Sequence, residues 1–170
     1  VDPRQACRVI DEVLPSDIGL ILGGGHQITF GTMLFLKRRS LVLANQHFGC
    51  IGQGLTTAMG AIIAAGNQPA VLMEGDAGLM MHLAEFETAV RYNLPLLVVV
   101  INDQALGAEY HKLHVKGMRS DFATIPSPDL GAVAVSLGGR GRMCTSIDEV
   151  RAAAEEFAAN PAPTMIDVRV

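Results

Sequence analysis

Apolar residues occur along the chain in two alternating patterns, short continuous runs and stretches with helical spacing. The runs predict six strands, at Ile18–Leu22, Leu41–Ala44, Ala70–Glu74, Leu94–Ile101, 142–145 and 164–170. Helical spacing predicts helices at Arg4–Leu14, Thr29–Lys37, a small-residue stretch ending near Ala65–Gly66, Leu83–Tyr92, Leu130–Leu137 and Asp148–Ala159. The best of these strands are uninterrupted apolar runs, which is typical of a parallel sheet buried on both faces, whereas the strand at 142–145 is weakly indicated. We therefore predict one α/β domain over residues 1–170, three-layer α/β/α, with a mainly parallel sheet of about six strands.

The interval after Asp103 lacks an apolar period until Pro128, so no helix or strand is predicted there. It mixes charged residues with glycine and proline. The segment Gln104–Pro126 is the natural candidate for a mobile lid that orders over a bound ligand.

Polar and glycine-rich turns follow the predicted strands. They are Gly23–His26, Gln46–Gly52, Gly75–Gly78 and Asn102–Asp103. In parallel sheets ligands bind beyond the carboxyl ends of the strands, and glycine lets backbone amides approach an anion closely. An anion-binding edge is expected here.

Two acids, Asp76 and Asp103, follow consecutive predicted strands, which lie roughly 5 Å apart if they are neighbours in the sheet. Carboxylates at such a separation repel each other unless a cation lies between them. Oxygen ligands favour a hard cation such as Mg²⁺ or Ca²⁺, which leaves coordination positions for phosphate oxygens. The pattern predicts a metal-bridged diphosphate.

Composition adds limits on partners and location. Hydrophobic residues make up 49% and charged residues 18%, so part of the surface is expected to be covered by a partner. No apolar stretch is long enough for a membrane span, and a net charge of -4 with scattered basic residues does not favour nucleic-acid binding. The three cysteines have neither zinc-site nor disulfide-framework spacing, which favours a reduced, cytoplasmic protein. Because the chain does not begin with Met, we expect a piece of a longer polypeptide.

The stretch "GDAG", followed some two dozen residues later by "VIND" and "QALG", resembles a known family signature, Gly-Asp-Gly and then Asn-Asn. The family comprises thiamine-diphosphate-dependent enzymes of the acetolactate synthase, pyruvate decarboxylase and benzaldehyde lyase type. The resemblance is to their carboxyl-terminal cofactor-binding domain and covers essentially the whole chain. Ala77 replaces the last glycine of the signature and Asp103 replaces the second asparagine, but an aspartate oxygen still coordinates Mg²⁺.

The resemblance implies a role for each matching residue. The carboxylates of Asp76 and Asp103 and the carbonyl of Ala105 would bind Mg²⁺. The diphosphate would be bound by the turns that contain Gly25, His26 and Gln27 and Gly75, Ala77, Gly78 and Leu79. The Gly49 carbonyl and the Ile51 amide would bind the aminopyrimidine ring, and the Ile51 side chain would hold the cofactor in its bent conformation.

The implied activity is decarboxylation or carboligation of a 2-keto acid or an aldehyde. In the family it depends on a glutamate from a separate amino-terminal, pyrimidine-binding domain, usually across a homodimer interface. No counterpart is evident here: Glu74 has a different sequence context, and Glu85, Glu87 and Glu109 are expected to be solvated. We therefore expect no catalytic residue in this chain and no activity from the chain alone.

Three alternatives remain open from the sequence. A nicotinamide- or flavin-binding Rossmann domain is less favoured, because no G-x-G-x-x-G follows the first strand. A non-catalytic phospho-acceptor or binding module would need an acid at the end of the first strand, where Leu22 and Gly23 stand. The chain could also be the natural small subunit of a two-chain thiamine-diphosphate decarboxylase.

Overall fold

Six parallel strands form one sheet in the computed structural model, which describes residues 1–44 and 47–170 except for the side chain of Leu34. The strands are β1 (Gly19–Leu22), β2 (Val42–Ala44), β3 (Ala70–Gly75), β4 (Leu96–Asn102), β5 (Arg140–Cys144) and β6 (Thr164–Arg169). Their order across the sheet is β2-β1-β3-β4-β6-β5, and every neighbouring pair is parallel. The predicted α/β fold is confirmed.

Helices cover both faces of this sheet. They are α1 (Pro3–Val13), α2 (Gln27–Leu34), α3 (Gly54–Ala64), α4 (Asp76–Met81), α5 (Glu85–Arg91), α6 (Gly107–Val115), α7 (Leu130–Ser136) and α8 (Ile147–Ala159), with short 3₁₀ turns at His47–Gly49 and Asp121–Ala123. One buried apolar cluster joins α1 and α8 to the sheet, and a second joins α3, α5 and α7 to the opposite face. Successive residues of β4 enter the two clusters alternately, as a sheet buried on both faces requires. None of the described helices is long and apolar enough to span a bilayer.

Local signals fix the ends of the best-defined helices. Asp2 caps α1 by accepting a hydrogen bond from the Arg4 amide at 2.8 Å, and Pro3 occupies the first helical position. Ser146 and Glu149 form a capping box at the start of α8. These two helices begin within a residue or so of their predicted starts because the capping residues are visible in the sequence.

The strand order places a crevice between β1 and β3. The chain passes from β1 to β2 on one side of β1, and then returns to β3 on the other side. In doubly wound sheets such a reversal point, at the carboxyl ends of the strands, is where ligands bind. The next strand, β4, pairs with β3 so that Gly75 lies opposite Ile101, which brings both predicted acid-bearing turns to this edge.

One prediction about the elements is wrong, and another is right but incomplete. The interval after Asp103 is not free of regular structure: it contains α6 and the 3₁₀ turn Asp121–Ala123. No apolar stripe is visible in this part of the sequence, because Gly107 is the single buried residue of α6. The helix predicted at Leu83–Tyr92 is preceded by a separate short helix, α4, and the two are divided at 82–84.

Candidate functional site

A pocket opens at the carboxyl ends of β1, β3 and β4, and encloses about 370 Å³ including solvent at its mouth. Most of the predicted site residues line it: Gly25, His26, Gln27, Ile51, Gly75, Asp76, Ala77, Gly78, Asp103 and Ala105. The fold therefore brings together turns that are as much as eighty positions apart in the sequence.

Two predicted residues lie outside this lining. Gly49 has a φ of +66° and belongs to a turn whose neighbours His47, Phe48 and Cys50 line an adjacent surface cavity. Leu79 is fully buried in the apolar cluster under α3. Gln46, the first residue of the predicted turn Gln46–Gly52, lies outside the described residues. The roles predicted for Gly49 and Leu79 stay predictions.

Asp76 is the first residue of α4 and is 1% exposed. Burial, and after it the negative charge of Asp103, raise the pKa of its carboxyl group from 3.8 to about 6. Its Oδ2 atom is buried and has no hydrogen-bond partner among the described residues. When ionised, this buried carboxylate would be stabilised by a neighbouring cation.

Asp103 lies just beyond β4 and is more accessible. Its Oδ1 accepts a hydrogen bond from the Ala105 amide at 3.1 Å, and its Oδ2 lies 3.6 Å from Nε2 of His26. Gly107 packs against both side chains, since a Cβ added there would lie 2.1 Å from His26 and 2.2 Å from Asp103. Only glycine allows α6 to start so close to the pocket.

The Ala105 backbone is held by an antiparallel bridge to Thr124. The hydrogen bonds of this bridge run from the Leu106 amide to the Ala123 carbonyl and from the Ile125 amide to the Gln104 carbonyl. Neither bond uses the Ala105 carbonyl. No cluster of three or more His, Cys, Asp or Glu side chains suited to a metal is found in the described parts of the chain, and the predicted ligand set has only two such side chains.

A hydrogen-bond network behind Asp76 was not predicted from the sequence. The neighbouring Ser127 hydroxyl slightly opposes the rise in the pKa of Asp76, but its one proton is donated to Oδ1 of Asn102 at 2.8 Å. The amide of Asn102 in turn donates to the fully buried Asp167 at 2.7 Å. Ser127 precedes Pro128 in a stretch without a recognisable motif, so the sequence offered no signal for it.

Glu74, the last but one residue of β3, was also missed. It is 0% exposed, and burial raises the pKa of its carboxyl group to about 7 against the lowering effect of the Gly75 and Gly54 amides and of Gln27. Its Oε1 accepts hydrogen bonds from Nε2 of Gln27 at 3.1 Å and from the Gly75 amide at 3.2 Å. The available signal was an acid at the end of a fully apolar run, "AVLME".

The residues present fit a metal-bound diphosphate. Two neighbouring carboxylates, one with a buried oxygen lacking a partner, would be neutralised by a divalent cation. Beside them, the turn after β1 presents bare backbone: Gly25 has a φ of +124°, and a Cβ at Gly24 would lie 2.4 Å from the Cys50 carbonyl. Such a glycine turn lets amides reach an anion.

The family described as "Thiamine pyrophosphate enzyme, C-terminal TPP binding domain" matches residues 23–168. The chain belongs to this family. The resemblance inferred from "GDAG" and "VIND" is thereby confirmed, and thiamine pyrophosphate is the thiamine diphosphate expected from it.

Three relatives of the chain are all much longer than it is. A thiamine pyrophosphate-containing protein of Bacillus subtilis, YdaP, is 28% identical over 172 residues, which cover 98% of this chain and 28% of that protein. The large subunit of acetolactate synthase isozyme 2 of Escherichia coli is 28% identical, covering 94% of this chain and 29% of the relative. Sulfoacetaldehyde acetyltransferase of Castellaniella defragrans is 28% identical, covering 87% and 25%. The chain thus spans little more than a quarter of these relatives.

A solved structure shows the same fold. Benzoylformate decarboxylase from Polynucleobacter necessarius superposes on 100% of this chain and 33% of its own with a TM-score of 0.87, at 19% identity. At that identity the likeness shows the fold alone.

Proposed function

We propose that this domain binds thiamine diphosphate through Mg²⁺ as part of an enzyme that decarboxylates or ligates 2-keto acids or aldehydes. The observation that carries the proposal is the convergence of Asp76 and Asp103 beside a glycine turn at the β1/β3 reversal point. The raised pKa of Asp76 and its unpartnered Oδ2 support a cation at this position.

Each residue then has a definite task. Asp76, Asp103 and the Ala105 carbonyl would bind Mg²⁺, and the backbone at Gly25–Gln27 and Ala77–Gly78 would bind the diphosphate. Ile51, half-buried at the pocket wall, would support the cofactor rings. When bound, thiamine diphosphate supplies a carbanion that adds to a carbonyl carbon and then accepts the electrons released from the substrate.

The substrate class is proposed from the names of the relatives. Acetolactate synthase and sulfoacetaldehyde acetyltransferase stand among them, and benzoylformate decarboxylase shares the fold. All three names indicate keto acids, aldehydes or transfer of a two-carbon unit. A decarboxylase, carboligase, lyase or transferase activity on a 2-keto acid or an aldehyde is the description common to them.

A second domain is proposed to complete the active site, in a homodimer. Several large apolar side chains are left exposed near β2 and α3, and this supports a covered face: Leu36, Val42, Leu43, Phe48 and Ile63. β2 is an edge strand whose three residues are all exposed, which is unusual for a strand of a buried parallel sheet. The glutamate that assists the cofactor in the family would come from that second domain.

A reducing, cytoplasmic location is proposed with it. Cys7, Cys50 and Cys144 are all free thiols, and the first and last are buried. Free cysteines of this kind are usual where thiols are kept reduced.

Calorimetric titration of the protein with thiamine diphosphate tests the proposal. Binding should require Mg²⁺, and chelation of the metal should abolish it. NADH titrated under the same conditions is the control for the Rossmann alternative and should give no heat. Binding of NADH, or equal binding of thiamine diphosphate with and without metal, would contradict the proposal.

A further inference from the structure

Glu74 occupies a chamber made of glycines below the floor of the pocket. A Cβ at Gly23 or at Gly54 would lie 2.2 Å from its Oε2, and a Cβ at Gly78 would lie 2.9 Å from its Oε1. These glycines come from the end of β1, the start of α3 and the first turn of α4. Part of the glycine content at this edge therefore makes room for a buried acid rather than for a ligand.

The acid is costly to the fold. It is 0% exposed, and its Oε2 has no hydrogen-bond partner of normal geometry among the described residues. A buried polar atom without a good partner lowers stability, because it has lost its hydrogen bonds to water without replacing them. The presence of a buried acid that lowers stability is therefore explained better by a role in the site than by a role in folding.

The hydrogen bonds of Glu74 join the turns that form the pocket. Nε2 of Gln27 donates both to Oε1 of Glu74, at 3.1 Å, and to the Gly24 carbonyl, at 2.7 Å. Both acceptors face the same nitrogen, so the orientation of the Gln27 amide is fixed and its N–H groups are occupied. The same Oε1 accepts from the Gly75 amide, directly before Asp76.

We propose that Glu74 is the positioning residue of the cofactor site: its buried carboxyl group holds the turn Gly24–Gln27 and the turn Gly75–Asp76 in one fixed arrangement. The inference rests on the proposed function, because the arrangement matters only if both turns bind the same metal diphosphate. Glu74 does not touch the cofactor and acts through Gln27 and Gly75.

Substitutions at Glu74 separate positioning from plain stability. Glu74→Met fills the chamber without a hydrogen-bond acceptor, and Glu74→Gln keeps an oxygen at the Oε1 position. Groups that orient metal-site residues typically change affinity by about 10–100-fold when removed. We expect Glu74→Met to weaken binding of Mg²⁺ and thiamine diphosphate by about that factor without a lower melting temperature in the metal-free protein, and Glu74→Gln to restore most of the affinity.

Asp11 provides the matched control. It is another buried acid, paired with Arg39 at 2.7 Å and bonded to the Leu36 and Lys37 amides, and none of these residues lines the pocket. Asp11→Asn should lower the melting temperature and leave cofactor affinity unchanged. A loss of affinity equal to that of Glu74→Met would show a general effect of removing buried acids and would overturn the proposal.

The route through Gln27 is tested by a double-mutant cycle with Gln27→Leu. If Glu74 acts largely through Gln27, the losses of affinity in the two single variants should not multiply in the double variant. Fully multiplicative losses would overturn that route. Should Glu74→Met fail to fold, Gly23→Ala displaces the same carboxyl group, and unchanged affinity there would overturn the proposal as well.

Hydrogen exchange on the metal-free protein decides the matter independently of the cofactor. The Gly75 amide and the amides of 24–27 should exchange faster in Glu74→Met than in the wild type or in Glu74→Gln. Equal exchange in all three would overturn the inference on Glu74. Failure of the wild type to bind thiamine diphosphate would overturn the proposed function instead, and the exchange result would still stand.

Discussion

Asp76 and Asp103 differ in burial although they point into the same pocket. Asp76 is 1% exposed, whereas the Asp103 side chain is 24% exposed and already accepts a backbone hydrogen bond. Asp76→Ala should therefore abolish Mg²⁺-dependent binding of thiamine diphosphate, because the more exposed Asp103 cannot take over the buried position of the Asp76 carboxylate. Asp103→Asn keeps an oxygen ligand and should retain binding. Calorimetry on both variants checks this, and equal loss would show that Asp103 is not an equivalent ligand.

The raised pKa of Asp76 has a consequence for stability. Between pH 4 and 6 the folded, metal-free protein holds a proton on Asp76 that the unfolded chain has released, so stability falls as pH rises through that window. A shift of this size corresponds to roughly 3 kcal/mol. Asp76→Asn should raise the melting temperature of the metal-free protein at pH 7, by several degrees, and have little effect at pH 4. A difference that is the same at both pH values would contradict this account.

Gly23 is the best position for testing the packing around Glu74, since the three atoms nearest to a Cβ there all belong to the Glu74 carboxyl group. Gly23→Ala should cost about 1–3 kcal/mol of stability in urea unfolding through overpacking. In a Glu74→Ala background the same change should cost much less. Gly60→Ala in α3, where a Cβ would meet nothing within 4 Å, is the control and should not destabilise. Equal costs in both backgrounds would contradict the packing account.

Among single residues, the sequence indicated the two acids that meet in the pocket but not the residues that support them. Asp76 and Asp103 could be predicted because each follows an apolar run and both runs precede a turn. Glu74 ends such a run too, but the sequence does not show which neighbouring glycines surround a strand residue in three dimensions. Ser127 and Asp167 reach the site through contacts between residues far apart in the chain, which periodicity does not record.

Among the elements, strands were the most predictable and α6 the least. β3 and β4 are apolar up to their carboxyl ends because they are buried on both faces, and this composition is visible in the sequence. α6 lies on the surface over the pocket, so burial imposes no apolar stripe on its sequence. Its helical form rests on backbone hydrogen bonds and on the bridge at its base, neither of which leaves a hydrophobic pattern.

The segment Gln104–Pro126 should open readily in the ligand-free protein. Three of its large apolar side chains, Val115, Met118 and Phe122, are exposed, so little burial holds the segment down. Hydrogen exchange should show the amides of α6 far less protected than those of Leu96–Ile101, and cofactor with Mg²⁺ should slow them. Protection of α6 equal to that of β4 without ligand would refute a mobile lid.

For the whole molecule, the 170 residues are expected to bind the cofactor without activating it. Loss of a positioned proton-transfer group typically slows a reaction by about 10²–10⁴-fold. Exchange of the C2 proton of bound thiamine diphosphate, followed by NMR, should be slower by about this factor than in a polypeptide that carries both domains.

The exposed apolar face near β2 should at the same time drive self-association, seen by sedimentation as a mass that rises with concentration. Rapid exchange of the C2 proton would instead show that an acid within this chain activates the cofactor, the role proposed for the glutamate of the second domain. A mass that stays monomeric at every concentration would argue against a homodimer through this face.

The bridge between Ala105 and Thr124 connects the pocket to the segment that carries α6. Ala105 lies in the pocket wall and also closes the base of the segment that carries α6. A ligand in the pocket that favours one backbone arrangement of Ala105 also favours the matching arrangement of the α6 segment. This coupling is reciprocal, because each binding event changes the free energy of the other by the same amount. If metal at Asp76 and Asp103 orders the segment by some factor, then whatever orders the segment, including a substrate beneath α6, must tighten the metal by the same factor.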